Sequence, residues 1–119
     1  MGRKALHCKW VYDLKTKGGK FDKRKARLVV VGTSQRPGLD YNLTFAPVAR
    51  LETVRLLLVE AFLKGELIDV MDVKNAYLNG VLDKEVYIKQ PKGFMKPGTE
   101  HLVCRLIKGL YGLKQAGRI

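Results

Sequence analysis

Asp69 and Asp72 are the acidic residues that read first as chemistry, because a carboxylate at the end of a strand can hold a hard divalent cation. They lie three apart in Leu67–Val73, a stretch that reads as a strand. An odd separation in a strand sends the two side chains to opposite faces, so at most one serves a given ion. Asp72 is the better placed, at the strand's end and just before a tight turn closing at Asn79-Gly80; Asp69 reads as a surface contact. Lys25 and Arg27, two apart on another candidate strand, project from one face, a poor buried pattern but a good phosphate contact. The bland alternative is a solvated edge. His7-Cys8 and His101-x-x-Cys104 hold four possible zinc ligands. Adjacent strand residues point apart, however, and Cys104 between Val103 and Leu106 reads as core, so zinc is set aside. Lys17-Gly18-Gly19-Lys20 is a hairpin turn, not a phosphate loop, since no strand-loop-helix surrounds it.

Local elements must hold these groups. Leu6–Leu14 and Ala26–Val31 read as two strands of a hairpin around Gly18-Gly19. Leu51–Lys64 is the clearest helix: Val54, Leu57, Leu58, Ala61 and Phe62 form one apolar face, Glu52 sits in the first turn, Lys64 in the last, and Gly65 stops it. Val86–Ile88 and Leu102–Leu106 read as two more strands, and Lys108–Arg118 as a helix start weakened by Gly109 and Gly112. With no capping signal and no closing strand after it, the end reads as a truncation. The fold class is α+β, one domain at most.

Composition narrows the partner. The 119 residues carry a net charge of +12, divided as +8 over residues 1–40, −1 over 41–90 and +5 over 91–119. Clustered positive charge points to a polyanion, phosphate first. No apolar run approaches membrane-spanning length, so no membrane partner is expected. Two cysteines do not make a disulfide framework.

Four blocks then fall in a recognisable order: Lys25-Ala26-Arg27-Leu28-Val29, Thr44 to Arg50 (TFAPVAR), Met71 to Gly80 (MDVKNAYLNG) and Leu110 to Ala116 (LYGLKQA). Together they resemble the reverse transcriptase of copia-type retrotransposons, from Lys9-Trp10-Val11-Tyr12 to Arg118. The resemblance implies a right-hand polymerase in part: a fingers hairpin and loop over about 1–50, then a helix and the opening palm strands over about 51–119. It implies RNA-directed DNA polymerisation by two-magnesium nucleotidyl transfer, manganese being an alternative ion, with Asp72 as metal ligand and catalytic residue. It places Arg27 and Lys25 on the incoming triphosphate and backbone of Asn75 and Ala76 beside it. Tyr77 would lie under the sugar, Tyr111-Gly112 close to nucleotide and template, and Lys114, Gln115 and Arg118 on the template. Asn75 stands where relatives carry Thr or Gly, and Gly117 where they carry Pro. The implied partners are RNA template, DNA primer, deoxynucleotides and the rest of a polyprotein, in the cytoplasm within the element's virus-like particle, or in the nucleus. The family's Tyr-x-Asp-Asp hairpin is not in this chain, which has no Asp-Asp pair, so the chain alone is expected to be inactive. A non-catalytic basic domain that only binds nucleic acid is the competing reading.

Overall fold

The computed structural model describes residues 2–119. Strands β1 (Cys8–Lys17) and β2 (Lys20–Val30) pair antiparallel through Gly18-Gly19. Both glycines have positive φ, 58° and 76°, as a two-residue hairpin turn of the primed type requires. The strands run further than the sequence pattern indicated, because this tight turn lets even the lysine-rich stretch 15–25 pair. The register sets Val11 opposite Arg27 and Asp13 opposite Lys25 on one face, and Trp10 opposite Leu28 and Tyr12 opposite Ala26 on the other.

A second antiparallel pair joins β3 (Val81–Lys89) to β4 (Val103–Lys108). Leu6 fastens the two sheets together. Its N–H donates to Tyr87 O at 2.8 Å and its carbonyl accepts from Lys89 N at 2.9 Å, running parallel to β3. One residue on, His7 O accepts from Val31 N at 2.8 Å. This seam gathers the core: Leu6, Val30, Val86, Ile88, Leu113 and Ala116, with Cys8, Leu82, Cys104, Leu106 and Leu110 part-buried around them. Cys104 is thus a strand residue packed on the core, as its neighbours suggested.

Helix α1 (Leu51–Lys64) has the expected bounds. Gly65 ends it in the left-handed conformation (φ 66°), donating its N–H back to Ala61 and Phe62 carbonyls. Lys64 reaches Glu60 one turn earlier at 2.6 Å. The apolar face drawn from Val54, Leu57, Leu58, Ala61 and Phe62 packs on neither sheet, and no residue of the helix is buried. Leu56, Val59 and Leu63 widen the apolar surface well beyond that face.

Two expected elements are corrected. Leu67–Val73 is not a strand: it runs without a ladder, and Leu67, Val70 and Met71 are more than nine-tenths exposed. A strand exists only with a neighbour to take its N–H and C=O groups, and no described segment pairs here. Asp69 and Asp72 are therefore not set on opposite faces of a strand. Lys108–Arg118 is not a helix either. Lys108 ends β4, and after it come turns closed three residues apart, Leu113 N to Leu110 O, Ala116 N to Leu113 O and Arg118 N to Gln115 O. Gly112, at φ 86°, lies outside helical space. The result is a mixed fold with two small antiparallel sheets, and no described helix is long and apolar enough to cross a membrane.

Candidate nucleic-acid interface

The turns of 110–118 are fixed against the end of β2. Val30 N donates to Tyr111 O at 2.7 Å. A Cβ added to Gly112 would overlap the Val30 carbonyl and crowd the Val29 side chain, and one on Gly32 would overlap the Gly112 carbonyl. Only glycines permit so close a backbone approach. Val29 faces this seam, and alternation puts Arg27 and Lys25 on the same side of β2, Arg27 half-buried and Lys25 exposed.

Asn75 leads the next block into place. It is the one described non-glycine residue with positive φ, 53°, and it starts a 3-10 turn over Ala76–Leu78. Asn tolerates that conformation better than most side chains. Asn79 Nδ2 braces the turn, donating to Lys74 O at 3.3 Å. Tyr77 consequently meets Tyr111 edge to face, ring centroids 5.7 Å apart. A Cβ on Gly109 would overlap the Tyr77 carbonyl, so this approach also needs a glycine. A cleft of about 290 Å³ opens between Tyr77, Tyr111, Gly112, Leu113, Ala116 and Gly117. Another of about 290 Å³ is lined by Ala46, Pro47, Val48, Ala76 and Ile119 together with Tyr77, Ala116 and Gly117. Tyr77 is 47% exposed and lines both. Three blocks separate in sequence, the TFAPVAR loop, the 75–77 turn and the 111–117 turns, thus share one surface beside β2.

The remaining candidates divide. Lys114 is exposed, its Nζ 3.3 Å from Tyr41 Oη and 5.1 Å from that ring's centroid, a cation–π contact that the sequence did not signal. Arg118 is exposed. Gln115 is a correction: it is 2% exposed and cannot face a template. Its Oε1 accepts from Gln35 Nε2 at 3.0 Å and its Nε2 donates to Asp40 O at 2.9 Å. Gln35 Oε1 in turn accepts from Lys114 N at 2.8 Å. A buried amide needs both ends satisfied, and these bonds clamp the loop after β2 onto the 110–118 turns.

Asp72 lies in the exposed 67–73 stretch, making no ion pair or hydrogen bond among the described residues. No group of three or more His, Cys, Asp or Glu side chains among the described residues could hold a metal. Asp13 is the perturbed acid of the hairpin. The Lys15 ammonium, 2.9 Å away, holds its carboxyl below the usual carboxylate range, aided by Arg27 and Lys25.

The chain matches the model of the reverse transcriptase (RNA-dependent DNA polymerase) family over residues 1–119. It is 45% identical over 118 residues to the Retrovirus-related Pol polyprotein from transposon TNT 1-94 of Nicotiana tabacum, covering 98% of this chain and 9% of that one. Pol polyproteins from transposons RE2 and RE1 of Arabidopsis thaliana are 46% and 45% identical over 112 residues, each covering 93% of this chain and 8% of theirs. The chain therefore spans under a tenth of these relatives. No solved structure matches it. Matched by the family over its whole length, and similar to the Pol polyproteins of plant copia-type transposons, the chain belongs to the reverse transcriptase family.

Proposed function

We propose that the chain is the nucleotide-receiving part, fingers hairpin and first portion of the palm, of a polymerase that copies an RNA template onto a DNA primer. The observation that carries this is the meeting of distant blocks: the cation-bearing face of β2, the Ala76-Tyr77 turn and Tyr111-Gly112 share one surface with open clefts. Nucleotidyl transfer joins a primer hydroxyl to the α-phosphorus of a deoxynucleotide and releases pyrophosphate. The protein's share is positioning and charge neutralisation.

Arg27 offers a planar fork of donors to triphosphate oxygens, and Lys25 adds a second cation beside it. The Tyr77 ring supports the sugar and leaves no room for a 2′-hydroxyl, held in place by Tyr111. The bare backbone at Gly112 lets nucleotide and template approach, with Lys114 and Arg118 on the template phosphates. Asp72 supplies one hard oxygen ligand, suited to magnesium and equally to manganese, but one carboxylate does not hold such an ion by itself. When bound, the metal neutralises phosphate charge and favours ionisation of the primer hydroxyl. The further ligands in this reading come from outside these residues, since no group of three or more possible ligands forms among the described ones.

The test is primer extension on an RNA template by a protein in which these 119 residues are continued by the sequence that follows in a Pol polyprotein. Extension should fall at least about a thousandfold with Asp72→Asn, and the 119-residue chain alone should not extend. Retained activity in the Asp72→Asn protein would remove the metal role, and extension by the short chain would remove the division of ligands.

A further inference from the structure

The other face of the hairpin carries aromatic rings that the nucleotide-receiving surface does not use. Trp10 and Tyr12 alternate out from β1 on the side opposite Val11 and Asp13. Their rings lie nearly parallel, 18° apart, with centroids separated by 6.5 Å. That is about twice the ~3.4 Å rise of bases along a strand. Phe94, from the loop after β3, adds a third ring 5.3 Å from Trp10. Trp10 is half-buried and held, its indole N–H donating to Lys92 O at 3.2 Å. Tyr12 and Phe94 are 74% and 71% exposed, so their ring faces are open to a ligand. Cations flank them on both sides. One open cleft of about 430 Å³ is lined by Lys9 and Lys92 together with Trp10 and Tyr12. A second of about 470 Å³ lies against Tyr12, with Arg24 on the same face of the hairpin.

We propose that Trp10, Tyr12 and Phe94 form a base-stacking platform for a single-stranded nucleic acid, whose phosphates are taken by Lys92 and Arg24. Every base has a π face, so aromatic rings at strand spacing bind single strands with little sequence preference, and flanking cations follow the backbone. A duplex hides its base faces in its own stack and has nothing to lay on such rings. An acidic protein segment would satisfy the lysines but has no use for a row of flat rings. The site rests on the hairpin's own geometry and extends the polymerase reading by naming where an unpaired strand lies.

The chain contains one tryptophan, so its emission reports on this platform alone. Titration with a short oligouridylate, with binding followed in parallel by anisotropy of an end-labelled strand, should give saturable quenching of Trp10. Tyr12→Leu and Phe94→Leu keep apolar bulk at exposed positions and remove the π face. Each should weaken binding about 5- to 100-fold. Glu60→Gln on α1, remote in kind from the platform, should leave quenching unchanged. A duplex of equal length should bind without comparable quenching. Strand binding with unaltered Trp10 emission, or full affinity in both leucine variants, would overturn the platform while leaving the Asp72 extension test untouched. No binding of any strand overturns it too.

Discussion

Single residues carry the sharpest consequences at the proposed nucleotide-receiving surface. If Tyr77 excludes a ribose, Tyr77→Ala in the continued polymerase should raise ribonucleotide incorporation relative to deoxynucleotide by about tenfold or more. Its support is the Tyr111 ring, so Tyr111→Ala should loosen selectivity in the same direction but less. Competing ribo- and deoxynucleotides in one extension reaction give the ratio, and an unchanged ratio with retained activity would reduce Tyr77 to a packing residue. Asp69→Asn should be far milder than Asp72→Asn. That contrast now stands on the Met-Asp-Val resemblance, since the strand that would separate the two faces is not formed. Legibility at this scale followed chemistry that is local. Arg27 and Lys25 could be read as a same-face pair because β2 has a period of two. Gln115 could not, because its burial depends on Gln35 and Asp40, some 75 to 80 residues away, in turns with no period at all.

At the scale of elements, stability should separate sharply between the seam and the helix. Ile88 is buried beside Leu6, and Ile88→Ala should cost about 2–5 kcal/mol in denaturant unfolding. Leu57 on α1 is exposed, and Leu57→Ser should change the same midpoint by less than about 0.5 kcal/mol. Equal effects would mean that the helix packs in solution. The hairpin has a pH signature of its own. Asp13 has a lowered pKa when folded, so its contribution is present above its unfolded pKa and is lost as pH falls through the folded value. Lys15→Gln should bring the Asp13 titration, followed by NMR, back up toward an ordinary carboxylate. A local signal explains why both hairpins and the helix were readable: Gly-Gly fixes a turn, branched side chains fix its arms, and Gly65 fixes a stop. Residues 67–73 were misread because apolar content is a property of one segment and a strand is a property of two.

The whole molecule is open and strongly basic. Its radius of gyration is 19.2 Å, against about 13–14 Å for a compact chain of this length. Its accessible surface is 9878 Å², against roughly 6,500 Å² expected for its mass. α1 with Leu67, Val70 and Met71 contributes an exposed apolar surface of the kind that normally marks a site of contact. The sequence made the charge legible and this exposure illegible, because periodicity reports that a face is apolar but not what covers it. Nucleic-acid affinity should therefore depend steeply on salt. With about three to five phosphate contacts, raising salt from about 50 to 200 mM should weaken binding about ten- to several-hundred-fold. Salt-independent binding would contradict the electrostatic account. The Leu6 seam also sets a clock. During synthesis the hairpin is complete by Val30, yet the core that steadies it needs Val86, Ile88, Leu113 and Ala116, the last of them made about 85 residues later. At a ribosomal pace of about 5–20 residues per second, the hairpin waits roughly 4–17 s with its base bare. For that interval a nascent chain is a lone ribbon beside others on the same message, and crowded translation is a condition that exposes its strands to the wrong partner.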